Sequence, residues 1–492
     1  MTKVLLYDNS SFVPQDIGNL LGVSRFSDIY YRKRSLDRWV SDICAAAGIQ
    51  FVEIGGDSSA RETIKQLGMF GARNLVVMYL PAFVAFGCPE EDAAVFLRKL
   101  SLTRSSLAVS PNAAATSLEQ LQVAVAVGEL AQALLQAVYA GESVGELLGG
   151  ALEQMHPLEG DVAMIDMRDP LHFTDYLTSN FDVRFFNSVQ TINDFVLLKR
   201  SSEVDKLRRE FQYYGLLPSA LQMFFIQPYD FSLEKGSATY KMERLFVPDM
   251  ALQWIHGSLD ELSLKRFLDK VFYYISARPV RQASADAART VHQDAYRDKV
   301  VARLEQLKAK PEYEKLRPYL DANFGGVDAL FGRYFKLLDR VGERAVSRDL
   351  RVGHGDLCFS NILYSKTTGL MRFIDPRGAD CDDDLYVSPF YDLAKLSHSV
   401  VGNYDFINYG LYRLEIDADL QVHLQIEPGA PSWARGMFET RLRDAGFDPA
   451  LIRLFEASLF LSMVPLHIDS PKKVLAFLVN ASRILSELEQ VF

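Results

Sequence analysis

The chain has 492 residues, of which 49% are hydrophobic and 24% charged, with a formal net charge of −10 and a pI near 5.4. This length predicts two to four domains, and the composition excludes an intrinsically disordered chain. The acidic balance argues against binding duplex nucleic acid, whose phosphates are met by Lys and Arg, but it is compatible with a local basic pocket for a nucleotide.

The cysteines and the apolar segments indicate the cellular compartment in which the protein resides. The four cysteines contain no C-x-x-C pair, which predicts neither a disulfide framework nor a zinc site and fits a reducing compartment. The apolar run of MTKVLLYDNS is too short for a signal peptide. Residues 120–138 are interrupted by Glu129 and glutamines, which predicts a buried helix rather than a membrane span. We expect a cytoplasmic protein without a membrane span, and the sequence leaves its oligomeric state open.

The first 150 residues alternate between strand-like and helix-like segments. Strands are predicted at residues 3–8, 49–56 and 74–86, and helices at residues 35–48, 60–71 and 116–150. Gly48 marks the end of one helix. Strands separated by helices of this length predict an α/β sheet with crossover connections, in a domain covering residues 1–180.

The pattern changes near residue 180. DVRFFNSV and DFVLLKR are β-rich runs joined by the polar link QTIN, which predicts a hairpin. Ser202 and Asp205 form an S-x-x-D capping pair for a helix that ends near Tyr214. SATYKMERL predicts another strand. From about residue 250 the chain is mostly helical, except at residues 350–375 and in a hairpin at 412–427.

The stretch HGDLCFSNIL, residues 354–363, carries the chemistry. Asp356 and Asn361 stand at the D-x-x-x-x-N spacing that phosphoryl transfer to a hydroxyl uses for a base and a metal ligand. Asp375 follows the apolar run 371–374, so that NILYS and LMRFI, joined by KTTG, predict a hairpin that mounts both ligands. Asp356 is therefore the predicted base or orienting carboxylate, and Asn361 and Asp375 are the predicted Mg²⁺ ligands.

HGDLCFSNIL followed by FIDPRG resembles the aminoglycoside phosphotransferase and choline kinase group, relatives of the protein kinases, over roughly residues 181–492. The resemblance implies an α+β, two-lobed fold with an N-lobe at 181–250 and a helical C-lobe at 251–492. It implies ATP and Mg²⁺ as cofactors, and a small-molecule hydroxyl acceptor as the partner of the nucleoside triphosphate.

Further residues follow from the same resemblance. Lys199 matches the lysine that binds the donor phosphates, and Glu210 on the next helix matches its partner. Glu203 is a rival partner, but it stands at the helix N-terminus, where an acidic residue needs no catalytic reason. The hinge whose backbone contacts adenine in such enzymes is matched by Met242, Glu243 and Arg244.

The sequence departs from the family at two places. The phosphate loop, expected near residues 187–191, has no glycine, and the hydroxyl of Ser188 or Thr191 would assist the backbone amides there. Arg377, which follows Asp375 and a proline, either touches the transferring phosphoryl group or pairs with Asp380 or Asp382.

Other polar residues have simpler interpretations. His354 is expected to orient the loop through hydrogen bonds rather than carry a proton. Asp392 is either a helix N-cap, the favoured interpretation, or an acceptor-site residue. The carboxylate run at residues 380–384 either binds a cationic acceptor or, as we expect, forms a solvated loop.

Residues 1–180 resemble a sugar-phosphate nucleotidyltransferase, with a Rossmann-like α/β fold, in YYRKRSLDRWVSDICAAAGIQFVEIGG and in VAMIDMRDPLHFTDYLTSNFDVRFFN. YDNSSFVPQDIG stands where active relatives have a Gly-rich loop, and VVMYLPAF lacks their metal-binding aspartate. The resemblance therefore implies a degenerate module.

The sequence as a whole predicts a kinase that phosphorylates a hydroxyl of a sugar, polyol or amino-alcohol. The pairing of the two domains suggests a role in the synthesis of surface (capsular) polysaccharide. Two alternatives remain open. One is a catalytically inactive nucleotide-binding scaffold, and the other is a bifunctional kinase and nucleotidyltransferase.

Overall fold

A computed structural model describes residues 2–21, 23–31, 34–55, 59–66, 75–111, 117–169, 172–173, 176, 187–193, 195–234 and 236–492. The chain divides into two compact units, Met1–Asp182 and Val183–Phe492.

The first unit alternates strands and helices, as its sequence predicts. In chain order its elements are β1 (Thr2–Asp8), α1 (Gln15–Leu21), β2 (Tyr30–Tyr31), β3 (Arg34–Ser35), α2 (Leu36–Ala47), β4 (Gln50–Ile54), α3 (Ser59–Gln66), β5 (Leu75–Pro81), β6 (Val84–Phe86), α4 (Glu90–Leu100), β7 (Leu107–Ser110), β8 (Val123–Val127), α5 (Gly128–Ala140), α6 (Val144–Ala151), β9 (His156–Glu159) and β10 (Met164–Asp166). Helix α2 ends at Gly48, which adopts the left-handed conformation (φ 72°) that favours glycine.

Six of these strands form one mixed sheet in the order β4-β1-β5-β8-β7-β9. β1 is parallel to β4 and β5, but β8 is antiparallel to both of its neighbours, β5 and β7. The Rossmann-like expectation of a parallel sheet is therefore met by the β4-β1-β5 part and by the β7-β9 pair, but not by β8.

Helices cover both faces of this sheet. Alternate residues of β1 enter different cores, because successive side chains of a strand point to opposite faces. Leu5 packs in the cluster that holds Trp39 of α2, whereas Leu6 packs in the cluster that holds Leu134 of α5. The unit is thus a three-layer α/β fold.

The helix predicted across residues 116–150 is wrong at its start. VAVAV forms strand β8 near the middle of the sheet, and the helix begins only at Gly128. Because four of the five β8 residues are buried, the run lacks the alternation that marks a half-buried strand. A short continuous apolar run of this kind cannot be distinguished from a buried helix by periodicity.

The second unit begins with strands and continues mainly with helices. In chain order its elements are β11 (Asn187–Asn193), β12 (Val196–Ser201), α7 (Val204–Leu216), α8 (Ser219–Gln222), β13 (Pro228–Glu234), β14 (Ser237–Glu243), α9 (Met250–Ile255), α10 (Glu261–Ala277), β15 (Val280–Gln282), α11 (Ala285–Gln293), α12 (Lys299–Lys308), α13 (Tyr313–Phe324), α14 (Val327–Val341), β16 (Asp349–Val352), β17 (Ile362–Tyr364), β18 (Met371–Phe373), β19 (Tyr386–Val387), α15 (Phe390–Val400), α16 (Tyr404–Asn408), β20 (Tyr412–Ile416), β21 (Val422–Ile426), α17 (Ser432–Asp444), α18 (Pro449–Met463) and α19 (Pro471–Glu489).

An antiparallel sheet in the order β11-β12-β14-β13 carries helix α7 on one face. Leu207 of α7 packs against Ala238, Tyr240 and Met242 of β14. The helix begins one residue later than the S-x-x-D pattern requires: Glu203 is its N-cap, and the Ser201 hydroxyl, not Ser202, accepts the Glu203 N–H at 3.0 Å. The predicted Ser202 cap is therefore wrong.

The helical part is built around α18 and α19, which are buried along most of their length. Among the described residues, Pro449–His467 is long and apolar enough to cross a membrane by length and composition, and 83% of its apolar window is buried inside the protein. It therefore packs as a core helix.

The two strands that flank KTTG pair as predicted. Ile362 of β17 lies opposite Phe373 of β18, and Tyr364 lies opposite Met371. The hairpin is fixed to the rest of the unit at both strands, because Asp249 bridges to Leu363 and Phe225 bridges to Phe373. The ends of the hairpin that carry Asn361 and Asp375 are thus held by backbone contacts.

Asp249 gives this region a pH-dependent stability. It is buried and caps α9 by accepting the Leu252 N–H at 2.8 Å, and burial raises its pKa to about 7. Because the pKa is raised on folding, its contribution is favourable below the unfolded pKa near 3.9 and is lost as the pH rises through 7. Asn is an equally good N-cap without a charge. We expect Asp249→Asn to gain stability between pH 4 and 7, reaching roughly 3–4 kcal/mol above pH 7.

Thermal unfolding at pH 5 and pH 8 measures this difference. Asp260→Asn is the control, because Asp260 caps α10 at the surface and the pKa of its carboxyl is lowered by the Ser263 hydrogen bonds. A gain at pH 8 that is equal in both variants would contradict the burial argument.

Candidate active site

A buried lysine joins a strand, a helix and a hairpin. Lys199 of β12 is 2% exposed, and its Nζ donates to Glu210 Oε1 at 2.5 Å and to Asp375 Oδ1 at 2.8 Å. Burial lowers the pKa of Lys199, but the carboxylates of Asp375 and Glu210 raise it more, so that its pKa lies above the ordinary value. The ammonium is therefore charged and held between two carboxylates.

Glu210 rather than Glu203 is the partner. Glu203 lies at the helix N-terminus and pairs with Lys206 at 3.1 Å. Tyr240 stands opposite Lys199 on β14 and donates its hydroxyl to Glu210. Burial, and next the charge of Glu210, raise the pKa of Tyr240 well above its usual value. This phenol is therefore a fixed donor that orients Glu210.

Asp375 follows β18 in an unusual backbone conformation. Its φ is 56°, in the left-handed region that is uncommon outside glycine, asparagine and aspartate. The residue before it, Ile374, donates its N–H to Asn361 O at 3.1 Å. The carboxylate is 44% exposed. One oxygen of Asp375 meets Lys199, and the carboxylate remains accessible from solvent.

The loop 353–361 presents Asp356 and Asn361. The Asn361 side-chain Nδ2 donates to Asp356 O at 2.8 Å. Because the amide nitrogen is used in this way, the Asn361 Oδ1 is the side-chain atom available as an acceptor or ligand. The structure thus joins Asp356, Asn361 and Asp375 through consecutive backbone and side-chain hydrogen bonds.

His354 organises this loop. The imidazole is fully buried against the Phe225 ring, with centroids 5.7 Å apart, and burial lowers its pKa. Its Nδ1 accepts the Asp356 N–H at 3.2 Å, so that Nε2 carries the proton and donates to Ile374 O at 2.9 Å. A neutral histidine with both nitrogens engaged links the two motifs, in agreement with the orienting role expected from sequence.

Asp392 is neither an N-cap nor an exposed acceptor-site residue. It is buried in the first turn of α15, whose N-cap is Pro389. Its two oxygens accept the N–H groups of His354 and Gly355, each at 2.9 Å, and Arg278 Nη1 donates to it at 2.8 Å. The favoured N-cap interpretation is therefore wrong, because the carboxylate points to the loop rather than to its own helix.

The sequence missed Lys395. Its Nζ lies 2.8 Å from Asp356 Oδ1, and the two side chains are 14% and 41% exposed. Burial lowers the pKa of Lys395, but Asp356 and nearby groups raise it more, which leaves it above the ordinary value. The single lysine of YDLAKLSHS, three residues after Asp392, was the signal available in the sequence.

Two glycines permit close approaches around the site. A Cβ on Gly355 (φ 80°) would lie 2.6 Å from Arg377 Cβ. A Cβ on Gly378 (φ 87°) would lie 2.6 Å from Arg209 C and 2.7 Å from Glu210 N. The segment after Asp375 therefore packs directly on the backbone of α7, next to the residue that holds Lys199.

Gly378→Ala is expected to destabilise the second unit by roughly 2–5 kcal/mol, because backbone strain and a backbone clash add. Gly369→Ala is the matched control: Gly369 (φ 70°) lies in the hairpin turn, where a Cβ would meet only Lys270 Nζ at 4.0 Å. Left-handed strain alone predicts about 1–2 kcal/mol there. Thermal unfolding compares the two variants, and equal shifts would show that the close approach is unimportant.

Arg377 forms neither of the ion pairs considered as alternatives. Its side chain is exposed, and its N–H donates to His354 O at 2.8 Å. Asp380 instead pairs with Arg208 and Arg209, at 2.9 and 3.0 Å. Contact between Arg377 and a transferring phosphoryl group stays a prediction.

The carboxylate run at residues 380–384 is neutralised by arginines. Arg281 pairs with both Asp382 and Asp383. The Asp384 carboxylate accepts the Asp380 N–H at 2.9 Å. These carboxylates face basic partners of the same unit rather than a site for a cationic ligand.

The expected hinge lies at the end of β14, with Met242 and Glu243 as its last two residues and Arg244 directly after it. Met242 ends the face that holds Tyr240, and it lines a cavity together with Glu210 and Asp375. Glu243 is the last residue of the strand. Arg244 donates its N–H to Phe195 O at 2.8 Å, so that this N–H is already engaged and unavailable to adenine.

The phosphate loop is not where the sequence suggested. Residues 187–191 lie within strand β11, and Ser188 pairs with Arg200 in the β11–β12 register. The turn falls between Asn193 and Val196, where Asn193 Oδ1 accepts the Phe195 N–H at 2.9 Å. The Ser188 side chain and residue 194 lie outside the described residues. The error arose because the polar QTIN segment pairs as an edge strand.

The oxygen donors at the site fit a magnesium ion. No group of three or more His, Cys, Asp or Glu side chains that could hold a metal ion was found across the residues that the structure describes. Asn361 and Asp375 offer an amide oxygen and a carboxylate, which are hard donors, and Mg²⁺ usually completes its shell with substrate phosphates and water. The donor set therefore fits Mg²⁺ bound together with a nucleotide.

No protein-family model matches the chain, and no curated protein matches it. Similar solved structures include a thermostable mutant of aminoglycoside phosphotransferase APH(4)-Ia in ternary complex with AMP-PNP and hygromycin B, with 13% identity over 63% of this chain and 96% of that chain and a TM-score of 0.36. The apo form of such a mutant shows 10% identity over 61% and 94% of the two chains, with a TM-score of 0.35.

Choline kinase from Cryptosporidium parvum Iowa II shows 13% identity over 63% of this chain and 90% of that chain, with a TM-score of 0.30. TM-scores of this size do not establish a common fold. The chemistry of the site rests on the contacts described above.

Proposed function

We propose that the second unit is an ATP- and Mg²⁺-dependent kinase that phosphorylates a hydroxyl group of a small molecule. The observation that carries the proposal is the buried Lys199 ammonium, which is shared between Glu210 and Asp375. Lys199 meets Asp375 at one end of the hairpin, and the loop that leads into the hairpin carries Asp356 and Asn361. Together these groups supply the positioning and charge stabilisation that phosphoryl transfer needs.

Each residue has a distinct role in this proposal. Lys199 binds the donor phosphates through its ammonium, which Glu210 holds in position. Asn361 and Asp375 would hold Mg²⁺, which supplies positive charge to the phosphates. Asp356 orients the acceptor hydroxyl and takes its proton. Met242 and Glu243 border the adenine site, where backbone groups other than the Arg244 N–H make the contacts.

His354, Asp392 and Arg278 act through the loop rather than on substrate. Their hydrogen bonds fix the backbone of Gly355 and Asp356, so that the Asp356 carboxylate is presented in one orientation. Such preorganisation limits the reorganisation that the reaction requires.

The acceptor is proposed only as a hydroxylated small molecule. The assignment of the acceptor as a sugar or polyol for surface polysaccharide depends only on the resemblance of residues 1–180. The nucleotidyltransferase-like character of that unit is also an inference from sequence. The three-layer α/β fold of the first unit is compatible with that inference.

Calorimetric titration of the full chain with ATP, with and without Mg²⁺, tests the proposal, followed by transfer of the γ-phosphoryl group to a panel of hydroxylated acceptors. We expect Mg²⁺-dependent binding and transfer. Binding without transfer to any acceptor would favour the scaffold alternative. Release of pyrophosphate from a nucleoside triphosphate and a sugar phosphate would reveal a bifunctional enzyme. No ATP binding would overturn the proposal.

A further inference from the structure

Two lysines of the helical part of the second unit interact with Asp356 or with the neighbouring Tyr391. Lys395 of α15 pairs with Asp356 Oδ1 at 2.8 Å. Tyr391 lies one turn earlier on the same helix, and Lys299 Nζ donates to its hydroxyl at 2.6 Å. The Lys299 ammonium also lies 4.8 Å from the centre of the Tyr391 ring. Tyr391 interacts electrostatically with Lys299, Lys395 and Asp356, and we call these four residues the lysine cluster.

The position of Lys299 is set by an irregular helix. Helices α11 and α12 are joined through a π-helical turn, Asp294–Asp298, and Lys299 is the next residue. Such turns occur mostly as single insertions and are frequent at functional sites. Tyr296 in this turn is buried, with its hydroxyl 2.9 Å from Ser388 Oγ. The turn is therefore anchored beside the start of α15, which carries Tyr391.

The lysine cluster holds more positive than negative charge. Asp356 is its one carboxylate, against the two ammonium groups of Lys299 and Lys395. Within the described part of the chain, Lys299 forms no ion pair with a carboxylate. Burial raises the pKa of Tyr391, but Lys299 and Lys395 lower it more, so that its pKa lies below the ordinary value. The phenol thus responds to a local excess of positive charge.

The carboxylates that might have received a cationic acceptor are engaged elsewhere. Asp380 bridges Arg208 and Arg209, and Arg281 neutralises Asp382 and Asp383. A cationic amine brought to Asp356 would instead meet Lys395, and like charges at such a distance repel.

We propose that the acceptor carries an oxyanion, a phosphate or a carboxylate, which binds Lys299 and Lys395 while its hydroxyl lies against Asp356. The substrate class rests on the proposed kinase function, and it narrows the sugar, polyol or amino-alcohol predicted from sequence to an anionic hydroxylated compound. Two ammonium groups suit this ligand because charge-assisted hydrogen bonds to phosphate or carboxylate are stronger than neutral ones. Lys299 is a specificity-determining residue in this arrangement, and Lys395 also stands close enough to Asp356 to meet the transferring group.

Transfer from ATP to acceptors with matched skeletons tests the charge preference. The probes are glycerol, glycerol 3-phosphate, glycerate and 3-amino-1,2-propanediol, with glucose, glucose 6-phosphate, glucuronate and glucosamine as a second set. We expect kcat/KM to be at least tenfold higher for an anionic member than for its neutral or cationic analogue. The phosphate and carboxylate members distinguish the two kinds of oxyanion. Preference for a neutral or cationic member would overturn the proposal.

Titration with inorganic phosphate measures the binding of an oxyanion to the lysine cluster directly, without the panel of acceptors. We expect Lys299→Gln to weaken phosphate binding to the full chain at least tenfold, with MgADP present, and to leave ATP affinity unchanged. Lys299→Arg should retain most of the binding. Lys308→Gln is the control, because Lys308 lies on the same helix and pairs with Asp328. Equal phosphate affinity in the wild type and in Lys299→Gln, or no phosphate binding, would overturn the proposal.

The outcomes separate the two proposals. If ATP does not bind, the kinase function fails, and the phosphate titration is made on the nucleotide-free chain, where it still judges the lysine cluster. If ATP binds and phosphate affinity does not depend on Lys299, the kinase function stands and the anionic acceptor fails.

Discussion

Asp356→Asn is expected to lower kcat by about 10²–10⁴-fold, the usual contribution of a positioned general base, while MgATP affinity stays within about twofold. Asparagine keeps the shape of aspartate but cannot take the hydroxyl proton. The backbone contacts that place the residue do not involve its carboxylate, because the Asp356 N–H donates to His354 and its carbonyl accepts from Asn361. The loop should therefore keep its conformation, so that the loss appears in kcat.

The measurement is steady-state transfer combined with calorimetric ATP binding for the same preparations. Ser360→Ala provides the control, since this hydroxyl lies on the same loop and contacts Cys358 Sγ at 3.3 Å rather than Asp356. Equal turnover in Asp356→Asn and the wild type would rule out the assignment of the base. Asp356→Ala should lose turnover similarly.

Asp375→Asn is expected to remove the dependence of ATP binding on Mg²⁺. Asparagine tolerates the left-handed conformation that Asp375 adopts, so the substitution avoids the strain that alanine would add. It removes a charged metal ligand and leaves Lys199 paired with Glu210 at 2.5 Å. We expect ATP affinity in the presence of Mg²⁺ to fall by at least about tenfold. Losing a residue that only hydrogen-bonds to a metal ligand typically costs about that much in metal affinity, and the loss of a ligand itself should cost no less.

Titrations with and without Mg²⁺ on both proteins provide the comparison. Asp382→Asn is a matched control, because Asp382 is exposed in the segment that follows and pairs with Arg281. A variant Asp375→Asn that still binds ATP more tightly with Mg²⁺ than without it would place the metal elsewhere. The role of Asn361 would then need to be revised as well.

Helix α7 is the element that connects these predictions. It carries Glu210, which holds Lys199, and its Tyr213 hydroxyl donates to Gly353 O at 2.9 Å at the start of the loop 353–361. Its backbone at Arg209 also accepts the Ala379 N–H at 3.1 Å, next to Gly378. A displacement of α7 would therefore change the lysine, the metal ligands and the loop together, which is why Gly378→Ala should affect activity as well as stability.

Local patterns predicted most elements of the second unit. The hairpin that carries Asn361 and Asp375 has strands on both sides of KTTG, and the strand ending at Glu243 is present. The neighbouring edge strand β13 was missed, although Tyr229, Phe231 and Leu233 alternate with polar residues at the period of a strand. In the first unit, the buried strand β8 was taken for a helix because its continuous apolar run VAVAV shows no alternation of apolar and polar residues.

Only the tertiary structure showed which side chains meet. Asp392 appeared as an N-cap in the sequence because an acidic residue near a helix start has that role most often, yet its carboxylate holds the loop backbone. Lys395 and Lys299 carried no recognisable spacing relative to Asp356. Their approach depends on how α12 and α15 pack, which a pattern along one chain does not contain.

The sequence by itself determined the chemical groups of the candidate site and the short hairpin that presents Asn361 and Asp375, because these depend on residues close together in the chain. The tertiary structure decided that Glu210 rather than Glu203 holds Lys199, that arginines pair with the carboxylate run, and that Lys395 pairs with Asp356. These outcomes depend on distances and burial between elements remote in sequence. Electrostatic interactions change steeply with both, so they could be assigned only after the chain had folded.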